Sequence, residues 1–260
     1  MPRRSTLSAM EREQLLALPD TSEEFIRHYT FSEADLSLIH QHRGAANRLG
    51  FAVQLCYLRF PGVVLGLDQV PAPSVLTFVA AQLKLSASDW AVYGQREQTR
   101  REHLLELQAA FGFQTFALPH YRAAVPWLAE VALQTDKGVV LVQALMGHLR
   151  RQGILLPAVA VLERLSAESL TRANRQLYYT LTEGLTLETG QALENLLTRR
   201  EGSSLTWLAW LRQAPAAPTA RQMLEHLARL SAWQHLGLPA ELARRVHQNR
   251  LLKIAREGDR

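Results

Sequence analysis

The sequence predicts an all-α fold, arranged as two consecutive compact helical domains with helix-turn-helix-like elements. Three observations carry this reading. Leu, Ala, Arg, Glu and Gln, all strong helix formers, dominate nearly every segment. Apolar residues recur at spacings of three and four, the period of one helix face. Ser, Thr, Asp, Gly and Pro interrupt the pattern at short intervals, where helices start and stop. With 260 residues, 47% of them apolar, the chain holds enough material for two cores.

Taken in order, Ser8 is placed to cap a first helix that runs to Leu18 and stops at Pro19-Asp20. A second helix begins after Thr21 or Ser22, with Glu23 and Glu24 in its first turn, where carboxylates favour the positive end of the helix dipole. Ser32, followed by Glu33 and Asp35, opens a third through about Gln41. A fourth runs from about Gly44 to Arg59 and ends at Phe60-Pro61-Gly62. Residues 62–73 read as loop, Ser74 caps Val75 to Leu85, and Ser86-Ala87-Ser88-Asp89 starts a pattern that continues to about Phe113. Residues 74–95 therefore have the outline of a helix-turn-helix, an outline that ordinary helical hairpins share.

A domain boundary is placed near residue 125, giving segments 1–125 and 126–260. Trp127 to Thr135 and Gly138 to Arg151 follow as helices, with Gly153 as the residue past the helix end and Ile154 to Pro157 as an extended connector. Further helices are expected near 158–165, 167–182, 189–199, 204–213, 219–231 and 239–257, with a rigid connector from Gln213 to Pro218. The stretch Leu162 to Ala167 is echoed at Leu227 to Ala232, which reads as two similar helix–Ser–helix junctions.

Net charge is +5 and the isoelectric point is near 9.7. The sign suits a polyanionic partner, although many cytosolic proteins are this basic. The one cysteine, Cys56, excludes an internal disulfide framework and a thiolate zinc site. Lying in the run Phe51 to Leu58, it reads as a small buried hydrophobe. The start, Met1 to Thr6, lacks a secretory pattern, and no apolar stretch approaches the roughly 18 residues of a membrane span. A cytoplasmic protein without membrane contact is expected. His40 and His42 fall on nearly opposite sides of a helix and read as non-ligating. Phosphate-loop, nucleophile-elbow, zincin and dinucleotide motifs are absent, and the Asp residues sit mostly at helix starts, where capping explains them.

Three basic stretches are candidates for nucleic-acid contact. On the fourth helix Leu49, Val53, Cys56, Tyr57 and Phe60 make an apolar stripe, while Arg43, Asn47 and Gln54 fall on another face, flanked by Arg48 and Arg59. Arginine can pair bidentately with guanine or phosphate, and Asn or Gln can read adenine. Farther along, Arg96, Thr99, Arg100 and His103 share one side of a helix, and Arg101 pairs with Glu97 one turn away. Near the end, Arg244, Arg245, His247, Asn249, Arg250 and Lys253 crowd about three turns. Arg150 and Arg151 close an earlier helix, where cations favour the dipole in any case. A solvated helix surface is the competing reading at each stretch.

A second kind of information lies in ordered motifs. Arg43 to Gly62, Arg96 to Leu104, Thr135-Asp136-Lys137-Gly138, Ile154 to Pro157, Leu208 to Gln213 and Val246 to Leu252 resemble, in the same order, the N-terminal DNA-recognition portion of Tn3-family replicative transposases. The resemblance implies a bacterial mobile element, recognition of transposon terminal inverted repeats, and positioning of a transposase for replicative transposition. It also implies that an Asp-Asp-Glu domain using divalent metal lies beyond this chain. The isolated chain is then expected to be no enzyme and to hold no cofactor. Its expected partners are duplex DNA of the transposon end, the rest of the transposase, and a second transposase protomer. The alternative reading is a helical protein-interaction or dimerisation module of the same complex.

Overall fold

The computed structural model describes residues 7–258 except 67, 96, 215–218 and 240. Among them are only α-helices, one 3-10 turn, and two isolated bridges, Gln114 with Ile154 and Arg199 with Thr206. The all-α expectation holds. The chain divides into two compact units, one up to Arg172 and one from Ala173. The boundary expected at 125/126 lies within α8 (Leu118–Ala132), whose interior holds Pro126, just as 172/173 lies within α10 (Val159–Thr182).

The first unit begins with α1 (Ala9–Leu15), α2 (Ser22–Tyr29) and α3 (Glu33–Gln41). Ser8 and Ser32 start α1 and α3 with reciprocal capping boxes, Ser8 with Glu11 and Ser32 with Asp35, and Thr21 accepts from the Glu24 amide to start α2. Next comes α4 (Ala45–Arg59), which buries every residue from Leu49 to Leu58. A helix apolar on all sides needs neighbours on all sides. These are α2, α3, α5 (Pro73–Leu83), α6 (Asp89–Gly94) and α7 (Glu97–Phe111). Gly50 is required here: a Cβ at this position would fall inside the Tyr93 ring.

Several elements differ from their sequence outlines. α5 starts with Pro73 at its first position and uncapped Ala72 before it, so Ser74 lies inside the helix. The continuous pattern expected from Ser86 to Phe113 is split into α6 and α7, and α6 buries Trp90 and Tyr93 against α4.

The loop after α4 joins the unit together. Tyr29 Oη donates to Phe60 O at 2.9 Å, the Leu156 amide donates to Gly62 O at 2.7 Å, and Gly62 takes φ of 92°. The His28 ring stacks on Phe60, centroids 4.2 Å apart. α8 packs against α9 (Gly138–Arg151), and the connector 154–157 pairs with Gln114 through the Leu155 amide.

The helix α10 (Val159–Thr182) is unbroken where two helices were expected. Ser166 does not cap a junction; its hydroxyl donates back to Leu162 O at 3.0 Å within the helix. Ser231 likewise lies inside α13, so neither half of the echoed sequence is a junction.

The second unit contains α11 (Leu187–Asn195), α12 (Trp207–Leu211), α13 (Ala220–Gln234), a 3-10 turn (Leu242–Arg245) and α14 (Gln248–Gly258). The helix expected over 239–257 is thus two elements, separated at Val246-His247. The core of the connector expected at 213–218 lies outside the described residues. Among the described residues, α13 buries only Arg229 and leaves Met223, Leu224, Leu227, Leu230 and Trp233 exposed.

Candidate nucleic-acid interface

Of the α4 residues expected to meet DNA, Gln54 points into the first unit. Gln54 is buried, and its amide donates to Tyr93 Oη and to Arg100 O, the latter at 3.2 Å. Tyr93 Oη stands 3.1 Å from His103 Nδ1. With Gln54 supplying a donor, the tyrosine proton is free to go to His103 Nδ1, which leaves the imidazole proton on Nε2. Burial and the nearby His42 ring lower the His103 pKa to about 4, so the ring is neutral at pH 7. Arg100, 3% exposed, donates to Gly66 O at 2.8 Å and lies 5.5 Å over the Trp90 ring. Gln54, Arg100 and His103 therefore correct the expectation of a solvent-facing stripe. They form one internal polar network between α4, α6 and α7.

Three further arginines are tied to the fold. Arg48 donates to His42 O at 2.9 Å and His40 O at 3.4 Å, satisfying carbonyls at the end of α3. Arg59 forms a two-pronged pair with Asp35, at 2.6 and 2.9 Å, with Asp35 only 3% exposed. Burial pushes the Asp35 carboxyl up. The Arg59 fork and the Ser32 amide and hydroxyl outweigh it and hold the group below the usual carboxylate range. Arg150 donates through Nε to Pro61 O at 2.7 Å and covers the Phe60 ring at 4.9 Å, with its own pKa lowered by burial. Each of these three half-buried candidates for DNA contact satisfies a carbonyl or carboxylate of its own unit.

The remaining positions are more open. Arg43 is exposed, whereas Asn47 and Thr99 are half-buried, the Asn47 amide donating to Arg43 O at 3.1 Å. Arg101 is exposed and 3.4 Å from Glu97, and Arg151 is exposed with Nε donating to Gly147 O at 3.3 Å. Arg96 lies outside the described residues. In the second unit Arg244, Arg245, His247 and Asn249 are exposed and Lys253 is half-buried. Arg244 pairs with Glu241 at 3.0 Å and Arg245 donates to Glu183 O at 2.9 Å. Arg250 is buried against Asn174.

Exposed cations outside the candidate set include Arg172 and Arg175, both on α10. The signal was their three-residue spacing in a helix with no acidic residue between Glu168 and Glu183.

Among the described residues no three His, Cys, Asp or Glu side chains group as a metal site. Nor is any described helix long and apolar enough to cross a membrane. Cys56 is fully buried, and burial pushes its thiol well above its ordinary range.

Residues 6–169 match a family model described as a domain of unknown function, DUF4158. The chain is 65% identical over 258 residues to the transposase for transposon Tn3926 of Escherichia coli. It is 62% identical to the transposase for Tn21 of Escherichia coli, and 51% identical to that for Tn501 of Pseudomonas aeruginosa. In each case the match covers 99% of this chain and 26% of the relative, so the chain spans about a quarter of their length. With the family model matching residues 6–169 and identities of 51–65% over nearly the whole chain, the chain belongs to the DUF4158 family and is homologous to the transposases of Tn3-family transposons.

Proposed function

We propose that this chain recognises the terminal inverted repeats of a transposon and thereby positions a transposase for replicative DNA transposition. The observation that carries the reading is the match of nearly the whole chain to proteins named as transposases. The chemistry of the open surface supports it. Arg43, Arg151, Arg172, Arg175, Arg244 and Arg245 are exposed cations, and a basic chain gains affinity for duplex DNA by displacing its counterions. Phosphate contacts set register, while exposed Asn249 and Arg43 are the groups suited to base edges. Strand cutting, and the divalent metal it uses, belongs in this reading to the remainder of the transposase.

The test is binding of the 260-residue chain to a terminal-repeat duplex and to a scrambled duplex over a salt series. Preference for the repeat is expected, with affinity falling by orders of magnitude between low and moderate salt if about 6–10 phosphates are contacted. Equal binding to both duplexes, or none, removes the proposal.

The exposed apolar face of α13 favours a second reading, a protein-interaction or dimerisation surface in the second unit. Sedimentation decides it. Association that Leu227→Glu abolishes supports this role, and a monomer at every concentration tested opposes self-association.

A further inference from the structure

In the second unit, the C-terminal half of α10 and α14 flank a hollow of about 40 Å³, lined by Asn174, Leu177, Tyr178, Arg250, Lys253 and Ile254. Arg250 is 5% exposed. Its Nη2 donates to Asn174 Oδ1, while Nε and Nη1 have no hydrogen-bond partner. Arg59 has a carboxylate, and buried Arg229, whose Nε is also unpartnered, has Gln213 O and the Glu225 carboxylate at 3.7 Å. Asn174 is neutral, so it satisfies one N–H and leaves the charge uncompensated. Holding a guanidinium out of water in that state is costly, and such groups call for an anion.

We propose that this hollow is a subsite for one phosphate group. Guanidinium and ammonium line it together with the Asn174 amide and the Tyr178 ring, and no carboxylate is among the lining residues. Two cations facing one small space suit a compact anion with several acceptor oxygens better than a singly charged carboxylate. In a DNA complex the occupant is a single backbone phosphodiester, held without regard to sequence. That source rests on the DNA-binding reading above; free phosphate is the other source of the same chemistry. Exposed Arg175, Arg244 and Arg245 belong to the same unit and add to its positive potential.

The experiment uses the 260-residue chain, Arg250→Gln and Lys253→Gln. One arm measures melting temperature in inorganic phosphate against sodium chloride of equal ionic strength. The other measures the salt dependence of affinity for a duplex of arbitrary sequence. Phosphate should raise the melting temperature of the parent chain beyond chloride, an effect lost in Arg250→Gln and weakened in Lys253→Gln. Each variant should lower the slope of log affinity against log salt by about 1 if the occupant is a backbone phosphate.

A phosphate-specific shift with unchanged slopes assigns the site to free phosphate. A shift in a chain that binds no DNA keeps the subsite and removes the DNA-binding reading. Absence of any phosphate-specific shift, with slopes unchanged, overturns the subsite and leaves DNA binding standing. Lys253 is half-buried on α14 and carries the test if Arg250→Gln fails to fold.

Discussion

In the first unit, α4 is surrounded by five helices and buries ten consecutive residues; in the second, α13 buries one described residue and turns five large apolar side chains to solvent. The two helices are equally long, at 15 residues. Their polar residues meet different fates because their neighbours differ. Around α4, Gln54, Arg48 and Arg59 become internal fasteners, since every polar group taken out of water must find a partner there. In the second unit, Arg244, Arg245, His247 and Asn249 keep their contact with solvent and with whatever binds there. Arginine count therefore says little about where a nucleic acid would bind; the enclosure of the helix that carries each arginine says more.

The sharpest way to break the contrast is to cut one fastener. Asp35→Ala strands Arg59 and removes the Ser32 capping partner, and unfolding in urea should show a loss of about 3–5 kcal/mol. A loss below about 1 kcal/mol would place the pair among ordinary surface ion pairs.

Gly50→Ala tests enclosure directly. Helix propensity alone favours alanine by about 1 kcal/mol. A Cβ that meets the Tyr93 ring reverses the sign, and a net destabilisation of about 1–3 kcal/mol is expected from thermal melts. A stabilised variant would mean that α4 has room on that side.

Acid should act on the same network, more gently. The folded pKa of His103 is near 4, below the roughly 6.5 of an unfolded chain, so the unfolded state binds the extra proton between those values. The contribution is complete above about pH 6.5 and is lost as pH falls towards 4, by roughly 1–3 kcal/mol after allowance for solvent screening. His42, lowered in the same direction by burial, adds to the trend, while Glu106, 3.5 Å away, opposes it. Melting temperature against pH should decline over this window, and His103→Gln should flatten the decline.

Much of the local structure was legible. The capping residues Ser8, Thr21 and Ser32 announce three helix starts, because a side-chain oxygen beside unpaired amides acts over three residues. Breaks were read less well. Pro126 and Ser166 look like boundaries and are helix interior, where packing of α8 against α9 and the back-bonded Ser166 hydroxyl override local preference.

For the candidate site, the sequence holds one clue to enclosure. Gln54 is the one polar residue in the run from Phe51 to Cys56, and a helix apolar on every side has no face left for DNA. Periodicity separates the faces of a helix but does not say which of them another helix covers.

By itself, then, the sequence determined the helical class, the main starts of its helices, and a kinship carried by ordered motifs, all of which depend on residues near one another in the chain. Only the tertiary structure decided that Gln54 and His103 meet Tyr93, that Gln54 also reaches Arg100 O, that Arg59 finds Asp35, and that Arg250 lies against Asn174. These partners stand 10 to 76 positions apart. Their meeting depends on how helices enclose one another, and the free energy of a buried charge or amide is set by that enclosure.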